Sequence, residues 1–340
     1  MWNYLKLKNK PIVLYGMGNG AEKIIDVLKS YGLSPVGVFA SDDFVRYQNF
    51  CGFTVKKYSE LLAEFPDMIV LVAFGTQRDE VLENIKKIAN TSEVFVPDVP
   101  VYGDGLFTAE YAKAHKESLE QVYNLLADEH SKKCFENCVL YRISGKPEYL
   151  YECESPISEA YENILRLTNS EVFYDLGAYT GDTLTQFLEH TGGAKEIHAF
   201  EPDKKNFKKL EKNFGDSRDV YLHNCAVSNE CGEILFAQNG GRNSYVAKNG
   251  EKIATVSLDS LGFTPPTFIN FDVEGQELQA IEGAKNIIKE HKPKMLISAY
   301  HKTDDYTQIV KKVLEIRDDY KVYMRHYKYL PAWDTAFYFV

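Results

Sequence analysis

Residues 172–183 read VFYDLGAYTGDT. A short run of β-branched and aromatic residues ends in Asp175, and Gly177 and Gly181 follow it around a turn. Glycines in such a turn let a ligand approach the backbone N–H groups where the next helix begins. The stretch has neither a G-K-[ST] run nor a G-x-G-x-x-G spacing, so it is not a P-loop or a dinucleotide fingerprint. It predicts a strand, a permissive turn and a helix.

An acidic residue ahead of this turn suits a ligand with an amino group and a positive sulfonium better than it suits a pyrophosphate. An ordinary strand–helix turn remains the alternative interpretation. The candidate ligand-binding residues of the stretch are Asp175, Gly177, Ala178, Tyr179, Gly181, Asp182 and Thr183.

Strand and helix patterns alternate from residue 171 to the end of the chain. The predicted strands are VFYDLG, EIHAFEP, VYLHNCAVS, FINFDVEG, KMLISAY, YKVYMRHY and TAFYFV, with a hairpin from GEILFAQ and NSYVA around the glycines at 240–241. Only residues 328–334 join the last two strands, which is too short for a parallel crossover, so these strands should be antiparallel. The pattern predicts an α/β fold with a doubly wound sheet and a reversed last strand, which is typical of class I methyltransferases.

The first hundred residues predict a small parallel α/β unit with strands IVLYG, PVGVFA, MIVLVAFG and EVFVPD. After its first strand, GMGNGA satisfies G-x-G-x-x-[GA], a dinucleotide-binding pattern, although four strands are too few for a complete two-half dinucleotide fold. We interpret the unit as a Rossmann-like accessory domain for a nucleotide or sugar phosphate. A degenerate unit used for packing or dimerisation is the alternative. Its candidate ligand residues are Gly16, Gly18, Asn19, Gly20 and Asp42.

Composition and length limit the classes of function that the chain can have. The 340 residues predict three segments, namely the Rossmann-like domain (1–104), a helical connector (105–168) and the second α/β domain (169–340). A net charge of −10 argues against a nucleic-acid or anionic-membrane binder. No apolar run approaches the ~20 residues of a membrane span, and we expect a cytoplasmic protein. The six cysteines are scattered and predict no disulfide framework.

Ligands of open α/β sheets bind at the carboxyl ends of the strands. After the second strand of the second domain, Glu201 could accept the hydroxyls of a ribose, beside Pro202 and Asp203. A helix-capping charge is the alternative. After the third strand, Asn224 could face an adenine whose ring Ala226 and Val227 line.

The segments DLGAYTGDT, FEPD, NCAVS and FDVEGQELQAIEGA, in this order and at this spacing, resemble the FkbM family of S-adenosylmethionine-dependent methyltransferases. The resemblance covers about residues 170–340. It implies S-adenosylmethionine as the cofactor and methyl transfer, usually to a hydroxyl of a sugar or natural product. The family often has a lysine two residues before the DVEG aspartate, where this chain has Asn270. The first domain also resembles the small N-terminal domains of bacterial sugar acyltransferases, which implies a nucleotide-linked sugar.

The fourth and fifth strands predict the reacting centre. Asp272 and Glu274 lie at a strand tip, where two carboxylates are hard to explain by stability. His301 follows the next strand and is the best candidate for a general base, because its ordinary pKa is near neutrality. Together these three could instead hold a divalent metal ion, which is the less favoured interpretation. Arg325 and His326 could bind an acidic or phosphorylated acceptor, or simply form a solvated strand end.

Two other functions stay open at this point. The first domain could use NAD in a sugar-nucleotide oxidoreductase, although no Y-x-x-x-K dyad follows its glycine loop: Tyr111 is followed four residues later by His115. The chain could also be a binding module that holds a nucleotide without catalysis. The connector could pack within one chain or between two, so a homo-oligomer is a further possibility.

Overall fold

The computed structural model describes residues 1–237, 245–246 and 251–340 of the chain. The strands are β1 (Ile12–Tyr15), β2 (Gly37–Phe39), β3 (Asn49–Phe50), β4 (Phe53–Thr54), β5 (Ile69–Val72), β6 (Glu93–Phe95), β7 (Val172–Leu176), β8 (Glu196–Phe200), β9 (Val220–His223), β10 (Ala226–Val227), β11 (Gly232–Ala237), β12 (Tyr245–Val246), β13 (Glu251–Val256), β14 (Phe268–Phe271), β15 (Lys294–Ser298), β16 (Val322–His326) and β17 (Thr335–Phe339).

The helices are α1 (Trp2–Lys8), α2 (Asn19–Ser30), α3 (Tyr58–Glu64), α4 (Asp79–Ala89), α5 (Ala109–Ala114), α6 (Lys116–Leu125), α7 (Glu129–Ser144), α8 (Glu148–Tyr151), α9 (Ile157–Glu159), α10 (Asp182–Thr191), α11 (Lys204–Phe214), α12 (Glu277–Gly283), α13 (Lys285–His291) and α14 (Asp305–Ile316).

The first sheet has the strand order β2-β1-β5-β6, and all of its pairs are parallel. Every residue of β1 and of β5 is buried. Continuous apolar strands of this kind form where helices cover both faces of a parallel sheet. The predicted parallel α/β unit at the start of the chain is therefore confirmed.

The main sheet has the order β16-β17-β15-β14-β7-β8-β9. The strands β9, β8, β7, β14 and β15 pair in parallel, while β17 runs antiparallel to both of its neighbours. The chain passes from β7 to β8 on one side and later to β14 on the other, so β7 lies at the switch point of the sheet. This is the predicted doubly wound sheet with a reversed last strand.

A smaller sheet interrupts this pattern between β9 and β14. One predicted strand, VYLHNCAVS, is in fact two: β9 ends at His223, and β10 pairs in parallel with β13 instead. Strand β11 pairs antiparallel with β13 and with β12, as the predicted hairpin requires. The turn of that hairpin, around the glycines at 240–241, lies outside the described residues.

The connector is helical, as predicted, and its longest helix α7 lies against the edge strand β16. Asp128 caps α7 by accepting a hydrogen bond from the backbone N–H of Ser131, and Gly145 ends it at a φ of 70°. The Ser131 hydroxyl in turn accepts a hydrogen bond from the backbone N–H of Met324. The helix therefore satisfies part of the exposed edge that a terminal strand leaves unpaired.

The hydrophobic core crosses the predicted boundaries at residues 104 and 168. One face of each sheet has its own core, around Leu14 in the first sheet and Phe173 in the main sheet. The opposite faces share one continuous core, which contains Tyr15, Cys138 of the connector and Ile297. None of the helices in the described ranges is long and apolar enough to cross a membrane.

Candidate functional site

A cleft of about 660 Å³ lies at the carboxyl ends of the main sheet. Its lining changes along the sheet edge. On one side of the switch point the lining follows β7, β8 and β10, and we call this the cofactor half. On the other side it follows β14, β15 and the β16–β17 connection, with Gln77 of the first domain and Glu154 of the connector, and we call this the acceptor half. The two halves meet where β7 and β14 lie side by side.

Gly177 lets the tips of β7 and β14 approach each other. Its φ is +90°, and a Cβ atom at this position would lie 1.9 Å from the carbonyl oxygen of Asp272. The backbone N–H groups of Gly177 and Ala178 both donate to the carbonyl oxygen of Phe200, at 2.9 Å. The turn is therefore held against both neighbouring strands, and only glycine fits at its start.

Asp175 is fully buried at the end of β7, beside Asn270 of β14. The Asn270 amide donates to its Oδ1 at 2.8 Å, while its Oδ2 has no hydrogen-bond partner. Burial raises the pKa of Asp175 to about 7. A buried carboxylate oxygen without a donor is a costly arrangement, which an N–H or O–H group of a ligand can relieve.

Glu201 connects the turns after β7 and β8. Its carboxylate accepts hydrogen bonds from the backbone N–H groups of Tyr179, at 2.9 Å, and Asp203, at 2.7 Å. Burial raises its pKa to about 8, against the lowering effect of these hydrogen bonds. Tyr179 has a φ of 50°, an uncommon conformation for a residue with a side chain, and such residues cluster at functional sites. Both Glu201 and Tyr179 line the cleft.

Most of the other predicted cofactor residues also line the cofactor half, namely Asp182, Thr183, Pro202, Ala226 and Val227. Buried behind the lining, Ala178 and Gly181 shape the turn. Asp203 is buried as well and caps α11, accepting hydrogen bonds from the backbone N–H groups of Lys205 and Asn206.

Asn224 does not face the cleft as the sequence analysis expected. Its amide nitrogen donates to the backbone carbonyl oxygens of Glu201 and Pro202, at 2.8 and 3.2 Å. These bonds direct the side chain to the turn after β8, so we leave Asn224 out of the proposed adenine site.

Asp272, Glu274 and Tyr300 line the acceptor half. The Tyr300 hydroxyl donates to Asp272 Oδ1 at 3.1 Å. Enclosure raises the pKa of Asp272, and the neighbouring His301 opposes this shift. Glu274 has a φ of 52°, so this turn, like the one at Tyr179, holds a residue in a sparsely populated conformation.

His301 is completely buried behind this surface and does not line the cleft. Its Nδ1 lies 2.9 Å from Glu277, and its Nε2 lies 3.5 Å from both Asp272 and Glu274. Burial alone would lower its pKa, but the three carboxylates raise it to about 10. An imidazolium at neutral pH has no lone pair to accept a proton, so we do not assign His301 as the general base.

The side chains of Asp272, Glu274 and His301 do not converge within 4.8 Å of one another as metal ligands would, which disfavours the metal interpretation. In the described part of the chain, the only group of three His, Cys, Asp or Glu side chains that converges this closely consists of the thiols of Cys134, Cys138 and Cys153. These thiols are buried in the shared core.

We expect the charge of His301 to make stability depend on pH. Because folding raises this pKa from 6.5 to about 10, its contribution to stability is complete below pH 6.5 and is lost as the pH rises towards 10. Urea unfolding at pH 7, 8 and 9 should show a falling free energy of unfolding that is weaker in His301→Gln. The exposed His115→Gln serves as the control, and equal slopes in all three proteins would contradict the assignment.

Arg325 and His326 are buried away from the cleft, at 2% and 1% exposure. The guanidinium of Arg325 donates to Asp128, Glu159, the Ser131 hydroxyl and the carbonyl oxygen of Met324. Burial lowers the pKa of His326 to about 4, and its Nδ1 lies 3.0 Å from the Thr335 hydroxyl. The guanidinium already donates to protein acceptors and the imidazole is neutral, so neither side chain is available to bind an anionic acceptor. We therefore do not assign an acceptor-binding role to this pair.

The glycine loop of the first domain lies apart from the cleft. Gly16 and Gly18 have φ values of 106° and 121°, and Gly18, Asn19 and Asp42 are exposed. Gly20 packs against the backbone of Ala73 instead: a Cβ atom there would lie 2.6 Å from its carbonyl oxygen. A ligand for this loop stays a prediction.

Several lining residues were not anticipated from the sequence. They include Gln77 of the first domain, the connector residues Glu154, Ser155, Pro156, Ile157 and Tyr161, and Asn270, Ser298, Tyr300, Tyr327, Lys328 and Asp334 of the second domain. Tyr300 could have been found, because it precedes His301 at a strand tip. The connector residues carry no local motif.

Comparison with known proteins identifies the second half of the chain. Residues 175–331 match the family model of the methyltransferase FkbM domain. None of the curated proteins matches the chain.

Among solved structures, methyltransferase FkbM from Methylobacillus flagellatus KT is similar over 100% of this chain and 92% of its own, with a TM-score of 0.77 and 23% identity. Fibrillarin from Aeropyrum pernix (12% identity, TM-score 0.37) matches 54% of this chain and 73% of its own. Precorrin-6y C5,15-methyltransferase from Geobacter metallireducens GS-15 (14% identity, TM-score 0.35) matches 54% of this chain and 85% of its own. The family match covers the turns after β7, β8 and β14 that form the cleft, and the FkbM structure has the same fold along the whole chain. Residues 175–331 of this chain therefore form a methyltransferase FkbM domain.

Proposed function

We propose that the protein transfers a methyl group from S-adenosylmethionine to a hydroxyl oxygen of a sugar, a glycan precursor or a natural product. The observation that carries this proposal is the division of one cleft into two halves. One half is lined by Glu201 at the tip of β8, with Asp175 buried at the tip of the neighbouring strand β7, and the other half is lined by Asp272 and Tyr300. The bound cofactor supplies an electrophilic methyl group at a positive sulfur.

The cofactor half fits this molecule. Glu201 is placed to accept the ribose hydroxyls, and Ala226 and Val227 offer an apolar surface to the adenine. The unpartnered oxygen of Asp175 and the close approach at Gly177 provide negative charge and room near the amino-acid end. Two carboxylates with raised pKa values are stabilised in their charged form by a cationic ligand.

In the acceptor half, Asp272 would orient the acceptor hydroxyl and receive its proton. S-adenosylmethionine held in the cofactor half would supply the methyl group to the acceptor oxygen, and the electron pair of the broken carbon–sulfur bond would remain on sulfur. The hydrogen bond from Tyr300 holds the Asp272 carboxylate in place. Positioning of the acceptor oxygen would be the main catalytic contribution of the site, and proton removal by Asp272 would add to it.

The first test is calorimetry with S-adenosylmethionine, S-adenosylhomocysteine and NAD. We expect the first two to bind, and Asp175→Asn and Glu201→Gln each to weaken binding at least tenfold. Glu189→Gln, on the exposed face of α10, is the matched control. Binding of NAD alone, lost in Gly18→Ala, would replace the proposal with the oxidoreductase alternative. Binding without methyl donation to any hydroxyl compound would favour the binding module.

The affinity for S-adenosylmethionine should rise with pH. The pKa values of about 7 for Asp175 and about 8 for Glu201 leave both carboxyl groups largely protonated at pH 5.5, and their ionised forms favour the cationic ligand. We expect at least about tenfold tighter binding at pH 7.5 than at pH 5.5, since one pKa unit corresponds to about tenfold. Glu201→Gln should flatten this dependence. An affinity that falls with pH would contradict the charge assignment.

The cytoplasmic location and the homo-oligomeric state expected from the sequence stay predictions. Size-exclusion chromatography with light scattering would measure the second of these.

A further inference from the structure

Besides the ends of β14 and β15, the acceptor half is lined by three segments that are far apart in the sequence. Gln77 follows β5 of the first domain, Glu154 belongs to the connector just before α9, and Lys328 and Asp334 lie in the β16–β17 connection. The cleft extends over all three, well beyond the turns after β7, β8 and β10 that suit the cofactor. This part of the cleft is where the second substrate would bind.

Direct contacts hold the first domain against the β16–β17 connection. Thr76 and Leu330 exchange two backbone hydrogen bonds, of 2.7 and 2.9 Å. A Cβ atom on the neighbouring Gly75 would lie 2.4 Å from the ring of Trp333, so the two segments are in full contact. Gln77 therefore has a defined position at the edge of the cleft.

The charges in the acceptor half are mostly negative. Among the lining residues that the structure describes, this half carries the carboxylates of Glu154, Asp272, Glu274 and Asp334 and a single basic side chain, Lys328. The Lys328 ammonium forms an ion pair with Asp79, outside the lining.

The positive charge of the His301 imidazolium does not cancel the excess negative charge of the acceptor half. It lies behind Asp272 and Glu274 and is matched by a further carboxylate, Glu277, at 2.9 Å. The Tyr300 phenol lies in the negative potential of these carboxylates. Burial raises its pKa, and Asp272, Asp334 and Glu274 raise it further. An anionic group placed here would meet like charges in an enclosed site, which disfavours binding.

We propose that the acceptor is a neutral or cationic polyhydroxy compound, such as an unphosphorylated sugar or an amino sugar, and that phosphorylated and nucleotide-linked acceptors are rejected. This narrows the proposed function and rests on it. Gln77 is a polar and uncharged residue of this surface, and its amide suits hydroxyl groups. The proposal reverses the expectation of a nucleotide-linked sugar that the first domain raised.

The test compares three probes that share one ring. Glucose, glucosamine and glucose 6-phosphate are titrated into the protein saturated with S-adenosylhomocysteine. We expect glucosamine to bind at least tenfold tighter than glucose 6-phosphate, with glucose between them. Equal binding of the three sugars, binding of none, or a preference for the phosphate would each overturn the proposal.

Two variants check that the cleft causes the discrimination. Glu154→Gln and Asp334→Asn should each reduce the preference for glucosamine at least threefold. Glu152→Gln, an exposed carboxylate two residues away that does not line the cleft, should leave it unchanged. If the control and the two variants behave alike, the proposal fails. If the unsubstituted protein did not bind S-adenosylhomocysteine at all, the proposed function would fail. The test therefore distinguishes failure of the proposed function from failure of the acceptor proposal.

Discussion

Gly177→Ala should abolish measurable binding of S-adenosylmethionine and destabilise the fold by about 3 kcal/mol, the sum of a left-handed backbone conformation and overpacking. The added methyl group would lie 1.9 Å from a backbone carbonyl oxygen of Asp272, which has no rotamer to adopt. The tips of β7 and β14 would have to separate. Because those two tips carry Asp175, Asn270 and Asp272, both halves of the cleft would change shape. Calorimetry and urea unfolding measure the two effects.

Gly192→Ala is the matched control for this substitution. Gly192 also has a positive φ, of 71°, but a Cβ atom there has nothing within 4 Å. It follows α10, away from the cleft. We expect a loss of about 1 kcal/mol from the backbone conformation alone and unchanged binding of the cofactor. If Gly177→Ala bound the cofactor as well as Gly192→Ala does, the close approach of the two strand tips would not shape the site.

Arg325→Met should destabilise the protein by about 3–5 kcal/mol, because it leaves two carboxylates facing a buried apolar side chain. Arg325 is 2% exposed and pairs with Asp128 at 2.8 Å and Glu159 at 2.9 Å. These partners tie α7 and α9 of the connector to β16. The free energy of unfolding should fall while the affinity of the remaining folded protein for S-adenosylmethionine stays the same.

Arg317→Met provides the comparison, since Arg317 also makes a bidentate pair, with Asp319, but at the surface. Solvent and salt screen such a pair, so only a small loss of stability is expected. A loss of acceptor binding in Arg325→Met without a loss of stability would restore the role that the sequence analysis assigned to this arginine.

The sequence predicted the sheet well because its strands and their order depend on local patterns, and most of the residues predicted to bind the cofactor line the cleft. The seven residues between the last two strands decide that β17 is reversed, and the turn after β7 contains the glycine that its geometry requires. Glu201 and Asp272 line the cleft, and each could be located from the sequence because it follows a strand directly. Position relative to a strand tip is a local property, and the sheet then brings the tips together.

The roles of His301, Asn224 and Arg325 could not be predicted in the same way. Each lies at a strand end in the sequence, but its neighbours come from elsewhere in the chain. The three carboxylates around His301, the Glu201 and Pro202 carbonyl oxygens that hold Asn224, and the connector acids that hold Arg325 decide what these side chains do. Gln77 and Glu154 were missed because they enter the cleft through tertiary packing alone.

The continuous core beneath both sheets predicts that the molecule unfolds as one cooperative unit. Tyr15, Cys138 and Ile297 belong to the same packed cluster, although the first and last of them lie in different sheets. Unfolding of the first sheet would expose the inner face of the main sheet, so the two should lose their structure in a single transition. A molecule bound at the tips of the main sheet would then slow hydrogen exchange at the backbone amides of β1 and β5, which it never touches.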